Sequence, residues 1–138
     1  MGVFTNDRLC RQAFRQILDG VAYIHEQGYV NRDIKVENIF VDQSGKIKIG
    51  DLGFCKLTQN NELIDGDVGS ERYKAPEIIE RANYCGVPAD IFALGVVLYT
   101  MRSILFPFEA CTMRDGAADL LQSMGPQTKF YVYYFNNG

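Results

Sequence analysis

Residues 91–101 read Ile-Phe-Ala-Leu-Gly-Val-Val-Leu-Tyr-Thr-Met, nine apolar residues in eleven and no charge. Wound into a helix, those residues leave no polar stripe to face water. Such a helix has to run through the centre of a core and be wrapped by other elements. It is about half the ~20 residues that a bilayer span requires, so no membrane partner is expected. Pro88 suits the opening of this helix, and Asp90 falls in its first turn, where the helix dipole favours a negative charge. The expected extent is 88–102.

The wrapping has to come from the rest of the 138 residues. Residues 7–27 supply one amphipathic helix. Cys10, Phe14, Ile17, Val21 and Ile24 recur in steps of four and three, while Arg8, Arg11, Arg15 and Asp19 fall mostly off that stripe. Thr5 or Asn6 can cap its start, and Gly28 is placed to end it. Residues 39–49 read as a tight hairpin. Ile39-Phe40-Val41 forms one strand, Asp42-Gln43-Ser44-Gly45 the turn, and Lys46-Ile47-Lys48-Ile49 alternates with period two so that the lysines face water. Residues 57–74 are rich in Asn, Asp and Gly and read as a long irregular loop, a feature that is often functional. Pro76 opens a short helix to about residue 82. A last helix is expected over 115–124, followed by an aromatic stretch at 129–135.

Seventeen acidic residues against fourteen Lys and Arg give a net charge of −3, which argues against a nucleic-acid partner and a polybasic membrane surface. The start, Met1-Gly2-Val3-Phe4-Thr5-Asn6, has no secretory signal pattern, and Asn6 stands where a myristoylation motif wants Ser or Thr. Cys10, Cys55, Cys85 and Cys111 are scattered, and His25 is the only histidine. A zinc site and a histidine-dependent nucleophile are disfavoured. Free thiols in a reducing, cytoplasmic setting fit better, with His25 structural.

Polar residues gather at the open mouth of the hairpin. Asn31-Arg32-Asp33-Ile34-Lys35-Val36-Glu37-Asn38 leads into the first strand, and Gly50-Asp51-Leu52-Gly53 leaves the second. If Val41 faces Lys46, Asn38 faces Ile49 and Asp51 lies two residues further, roughly 7 Å along the strand. An amide oxygen and a carboxylate at that spacing can share a hard cation such as Mg²⁺. Lys35 beside Asp33 suits phosphoryl transfer. The bland alternatives are equally open on spacing alone. Asp and Asn at strand ends serve more often as turn and cap residues, Arg32-Asp33 can be an ordinary ion pair, and Gly50 and Gly53 can simply let the chain bend.

The same residues resemble protein kinases. Residues 31–38 are similar to the catalytic loop His-Arg-Asp-Leu-x-x-x-Asn, and Asp51-Leu52-Gly53, eighteen residues after Asp33, to Asp-Phe-Gly. Ala75-Pro76-Glu77 matches the Ala-Pro-Glu that closes the activation segment (51–77). Gly69-Ser70-Glu71-Arg72-Tyr73 resembles the substrate-docking loop, and Asp90-Ile91-Phe92-Ala93-Leu94-Gly95 the start of the buried central helix of the large lobe. The motifs occur in family order from residue 7 to about 110, beyond which the likeness fades.

The resemblance implies an α+β, mostly helical fold, an incomplete large lobe whose hairpin carries the catalytic and metal-binding loops. It implies a serine/threonine protein kinase with ATP and Mg²⁺ as cofactors and a protein hydroxyl as acceptor. Asp33 would orient that hydroxyl and take its proton. Lys35 would neutralise the transferring phosphate and bind the nucleotide; Asn38 and Asp51 would hold Mg²⁺. Lys35, two residues after Asp33, is the serine/threonine pattern. Ser70 would brace Asp33 and Lys35, and Asp90 would receive backbone hydrogen bonds from the catalytic loop. Glu77 normally pairs with a late arginine, for which no candidate follows residue 114. Arg32 normally meets a phosphorylated residue, and here Asp65 or Asp67 is expected to meet it instead. Asn31 and Leu52 depart from the family's His and Phe. Leu52 is expected to pack, and Asn31 to need hydrogen-bond partners or cost roughly 1–3 kcal/mol. Neither a Gly-rich phosphate loop nor a Val-Ala-Ile-Lys strand is present, so the small ATP-covering lobe is expected to be absent. The alternative is a truncated, catalytically inactive kinase-like fragment acting as a binding module or having no folded role.

Overall fold

The structure is a computed structural model that describes residues 6–59, 61–80, 83–103 and 105–107. Helix α1 spans Asp7–Glu26. The side chain of Asn6 accepts from the backbone N–H groups of Arg8 and Leu9, so Asn6 is the cap. The expected stripe is its inner face: Cys10, Phe14, Ile17 and Val21 are buried, joined by Ala13. Gly28, at φ +83°, turns the chain away from the helix end.

Strand β1 (Tyr29–Val30) follows, then a loop that ends in a turn of 3₁₀ helix (Val36–Asn38) and the hairpin β2 (Ile39–Val41) and β3 (Ile47–Ile49). Strand β4 (Lys56–Leu57) pairs antiparallel with β1, and β5 (Leu63–Asp65) with β6 (Asn83–Cys85). The short helix α2 covers Pro76–Glu80, and α3 runs Gly86–Ser103.

Three expectations are corrected. The hairpin register is Ile39 with Ile49, Phe40 with Lys48 and Val41 with Ile47, one residue away from the pairing read from sequence. The cause is the turn. Asp42 belongs to the ladder, its N–H donating to the Lys46 carbonyl, and its carboxylate collects the Ser44 N–H, the Ser44 hydroxyl and the Lys46 N–H. Gly45 takes φ +83°, which leaves a three-residue loop where a four-residue one was read. Second, the 57–74 stretch is not wholly irregular, because β5 finds its partner β6 about twenty residues along. Third, α3 starts at Gly86, with Pro88 inside its first turn, where the missing N–H has no intrahelical partner to lose. The helix opened by Pro76 is α2, and the last two residues of its expected extent, 81 and 82, lie outside the described residues. The expected 115–124 helix, the aromatic stretch, Cys111 and the region searched for a partner to Glu77 lie outside the described residues.

The core has two parts that meet on α3. In the first, Phe14, Ile17 and Val21 of α1 pack with Ile34, Tyr73 and the α3 residues Ala93, Leu94, Val96 and Val97. In the second, Val30, Ile64, Ala75, Ile78, Tyr84 and Ala89 come together, and Phe92 packs against both. No α3 residue from Ala89 to Ser103 is exposed, as the charge-free pattern requires. Each fully buried Val or Ile here contributes about 1.5–3 kcal/mol. No helix among the described residues is long and apolar enough to cross a membrane.

Candidate active site

The loop between β1 and the 3₁₀ turn is fixed from below by α3. Asp90, 2% exposed, accepts from the backbone N–H of Asn31 (2.8 Å) and of Arg32 (2.9 Å), and from His25 Nε2 (2.7 Å). This is the backbone anchoring expected of Asp90. Arg32 sits at φ +67°, a left-handed conformation that a non-glycine residue adopts at a cost. The carboxylate anchor holds it there. Gly69 is forced by the same residue: a Cβ at position 69 would lie 2.7 Å from the Arg32 carbonyl oxygen.

Above that anchor four of the sequence-predicted residues converge. Asp33 and Asn38 are both buried. Asn38 Nδ2 donates to the Asp33 carbonyl (3.0 Å) and to Asp33 Oδ2 (3.2 Å). Lys35 Nζ lies 3.5 Å from Asp33 Oδ2 and donates to Ser70 Oγ at 3.0 Å. The Ser70 hydroxyl lies 3.4 Å from Asp33 Oδ1. A buried carboxylate thus has a cation, an amide and a hydroxyl around it, a setting that keeps it oriented.

Asp51 reaches the same mouth through the backbone. Gly50 N–H donates to the Asn38 carbonyl (2.8 Å), so with the true register Asp51 is one residue past Asn38's partner, closer than the two residues read from sequence. Asp51 is exposed, takes φ +54°, and accepts from Gly53 N–H at 3.4 Å. Committing the Asn38 amide nitrogen to Asp33 leaves its amide oxygen as the available donor atom. That oxygen and the Asp51 carboxylate are hard donors of the kind Mg²⁺ takes when it keeps several waters.

Three side chains behave differently from expectation. Arg32 forms no ion pair with a carboxylate among the described residues. Its Nε donates to the Phe54 carbonyl (2.7 Å) and its Nη1 to the Asp65 carbonyl (3.2 Å), while the Asp65 carboxylate takes Lys56 and Asp67 takes Lys74. The guanidinium is thus taken up by main-chain carbonyls on two segments. Leu52 is 53% exposed. It lies in the turn closed by Cys55 N–H on the Leu52 carbonyl, which holds it at the surface. Asn31 finds half its partners among the described residues: Oδ1 accepts from Asp33 N–H (2.9 Å), and buried Nδ2 has none there.

Sequence reasoning missed Tyr73. Its hydroxyl accepts from Val36 N–H and donates to Glu37 Oε2, both at 3.3 Å, tying the docking loop to the catalytic loop. Burial, reinforced by the Glu37 carboxylate, pushes its phenol up to about 12. An aromatic residue in a polar loop was the available signal.

The loop 31–38 thus carries a buried carboxylate braced by lysine, amide and hydroxyl. The chain belongs to the protein kinase domain family, whose pattern matches residues 2–131. It is 43% identical over 102 residues to CBL-interacting protein kinase 17 of Oryza sativa subsp. japonica, covering 72% of this chain and 22% of that protein. CBL-interacting serine/threonine-protein kinase 17 of Arabidopsis thaliana is 39% identical over 102 residues (72% of this chain, 24% of that one). NUAK family SNF1-like kinase 2 of Rattus norvegicus is 40% identical over 104 residues (75% and 16%). The chain thus spans about a fifth of the length of these relatives.

Proposed function

We propose that this chain carries the catalytic segment of a serine/threonine protein kinase, with Asp33 as the group that receives the proton of an acceptor protein's hydroxyl. The observation that carries this reading is the Asp33–Asn38–Lys35–Ser70 network, in which Asn38 and Lys35 face one oxygen of a buried carboxylate and Ser70 the other. The acceptor oxygen attacks the terminal phosphorus of ATP, its proton passes to an Asp33 oxygen, and ADP leaves. Lys35 offsets negative charge on the transferring group. Asn38, through its amide oxygen, and Asp51, through its carboxylate, would hold Mg²⁺. When bound, Mg·ATP supplies the phosphoryl group and the charge that neutralises its oxygens.

The test is phosphotransfer from radiolabelled ATP to a mixed serine/threonine peptide library, comparing the wild-type chain with Asp33→Asn. Removing a positioned proton acceptor lowers the rate about 10²–10⁴-fold. Equal incorporation by the two proteins removes the catalytic reading and leaves a kinase-like binding module.

A further inference from the structure

Lysine is almost never buried without a partner. Lys74 is 6% exposed, and two carboxylates from different segments close on its ammonium: Glu71 Oε1 at 2.8 Å and Asp67 Oδ1. Both carboxylate side chains are well exposed, 63% for Asp67 and 65% for Glu71. The ammonium is therefore the fixed centre, and the surface segments are drawn to it.

We infer that Lys74 is a positioning residue for the hydroxyl-activating group, an internal cation that latches the Asp67 segment and the Ser70–Lys74 turn into the arrangement that places Ser70 on Asp33 and Lys35. The turn is short and stiff. The N–H groups of Tyr73 and Lys74 both donate to the Ser70 carbonyl, at 2.9 and 3.1 Å. Pinning the end of Lys74 to Glu71 closes that turn on itself, and the Ser70 hydroxyl at its head is the atom that touches Lys35 and Asp33. The Asp67 contact matters for a second reason. Gly66 and Gly69 flank it at φ +100° and +103°, so the stretch 66–69 has a permissive joint at each end. Upstream it is tethered by Arg32 on the Asp65 carbonyl and by Lys56 on the Asp65 carboxylate. Between the joints the ion pair on Lys74 holds Asp67, and the Tyr84 hydroxyl holds the Gly66 end by donating to its carbonyl at 3.3 Å. Burial alone would pull the ammonium's pKa down, but hydrogen bonds and charge from Asp67 and Glu71 outweigh it and hold it above its ordinary value. The latch is thus charged throughout the neutral range, and it orders the segment with charges the chain already has and without an added phosphate.

The consequence for catalysis rests on the kinase reading above; the latch itself rests on geometry. Hydrogen exchange on the whole chain tests the latch directly. Lys74→Met, and separately the double variant Asp67→Asn with Glu71→Gln, should speed exchange of the Tyr73 and Lys74 amides about tenfold while leaving the middle of α1 unchanged. Lys74→Arg should restore most of the protection. The double variant alters only surface groups, so it remains informative if Lys74→Met fails to fold. In the phosphotransfer assay the same variants should raise KM for the peptide and lower kcat with KM for ATP unchanged, a split that general unfolding would not produce. Unchanged exchange in the double variant overturns the latch, and so does Lys74→Arg exchanging as fast as Lys74→Met. Exchange that responds as expected in a chain with no phosphotransfer upholds the latch and sinks the kinase reading instead.

Discussion

The carboxylate of Asp90, near the start of α3, lies 2.7 Å from Nε2 of His25 on α1, sixty-five residues away in sequence. The same carboxylate holds the N–H groups of Asn31 and Arg32. One buried charge therefore joins the two long helices to the head of the catalytic loop. Asp90→Ala strands two backbone donors and the histidine. At about 1–3 kcal/mol for each stranded donor, the loss of stability should be near 3 kcal/mol, read from the midpoint of urea unfolding. His25→Ala should cost about 1 kcal/mol, and the double variant should lose less than the sum of the two. Strict additivity would show that the pair does not act as a unit.

Asn31 is half satisfied, which separates its two edges experimentally. Its oxygen caps Asp33 N–H, while its buried amide nitrogen donates to nothing among the described residues. Asn31→Ala removes the cap and should cost about 1–3 kcal/mol. Asn31→Ser keeps an oxygen able to bond two residues ahead and discards the stranded nitrogen. It should cost less than half as much in the same urea titration. A serine variant as unstable as the alanine one would mean that the amide nitrogen has a stabilising partner.

The elements that could be read in advance are those whose signal is local. The Cys10–Phe14–Ile17–Val21 stripe and the charge-free 91–101 run each encode their own burial, and both helices lie where that demands. The candidate site was legible because Asp33, Lys35 and Asn38 come from one short loop, so sequence order nearly fixes their geometry. What escaped depends on distant partners. Two three-residue strands, β5 and β6, carry too little pattern to announce each other. The direction of Arg32 depends on the carbonyls of Phe54 and Asp65, more than twenty residues away in sequence. Lys74 reads as an ordinary surface lysine until Asp67 and Glu71 are seen to converge on it.

The hairpin turn should loosen in acid. Asp42 accepts three hydrogen bonds, and these, led by the Ser44 hydroxyl and the Lys46 N–H, hold its carboxyl below the usual value of 3.8. A depressed folded-state pKa contributes stability above the unfolded value, and that stability fades as pH falls through the folded one. Amide exchange at Ser44 and Lys46 should therefore be slow near neutrality and quicken only below about pH 4. In Asp42→Asn the oxygen survives without a charge, so protection should persist into acid. Early loss of protection in the asparagine variant would assign the turn's stability to Gly45 rather than to this side chain.

Alkali should act through Tyr73. Its phenol is pushed up to about 12 from an ordinary value of 10, chiefly by burial and further by Glu37. The sign follows from the protonated form being the one that folds. The unfolded chain gives up the proton near 10 and the folded chain only near 12, so the contribution is complete below pH 10 and is lost as pH rises through about 12. Tyrosinate absorbance of the folded chain, which has eight tyrosines, should therefore include a late-ionising step from Tyr73. Tyr73→Phe keeps the ring, including its edge-on contact with Phe106 (centroids 5.4 Å apart, planes at 88°), and deletes only the hydroxyl. At neutral pH it should cost about 1 kcal/mol for the bonds to Val36 and Glu37. Between pH 10 and 12 its stability should fall less steeply than the wild type's, and the late step should vanish. A wild-type chain whose tyrosines all ionise together near pH 10 while still folded would show that the Tyr73 hydroxyl is solvated, and that the docking loop is not closed on the catalytic loop in the way the Val36 and Glu37 bonds require.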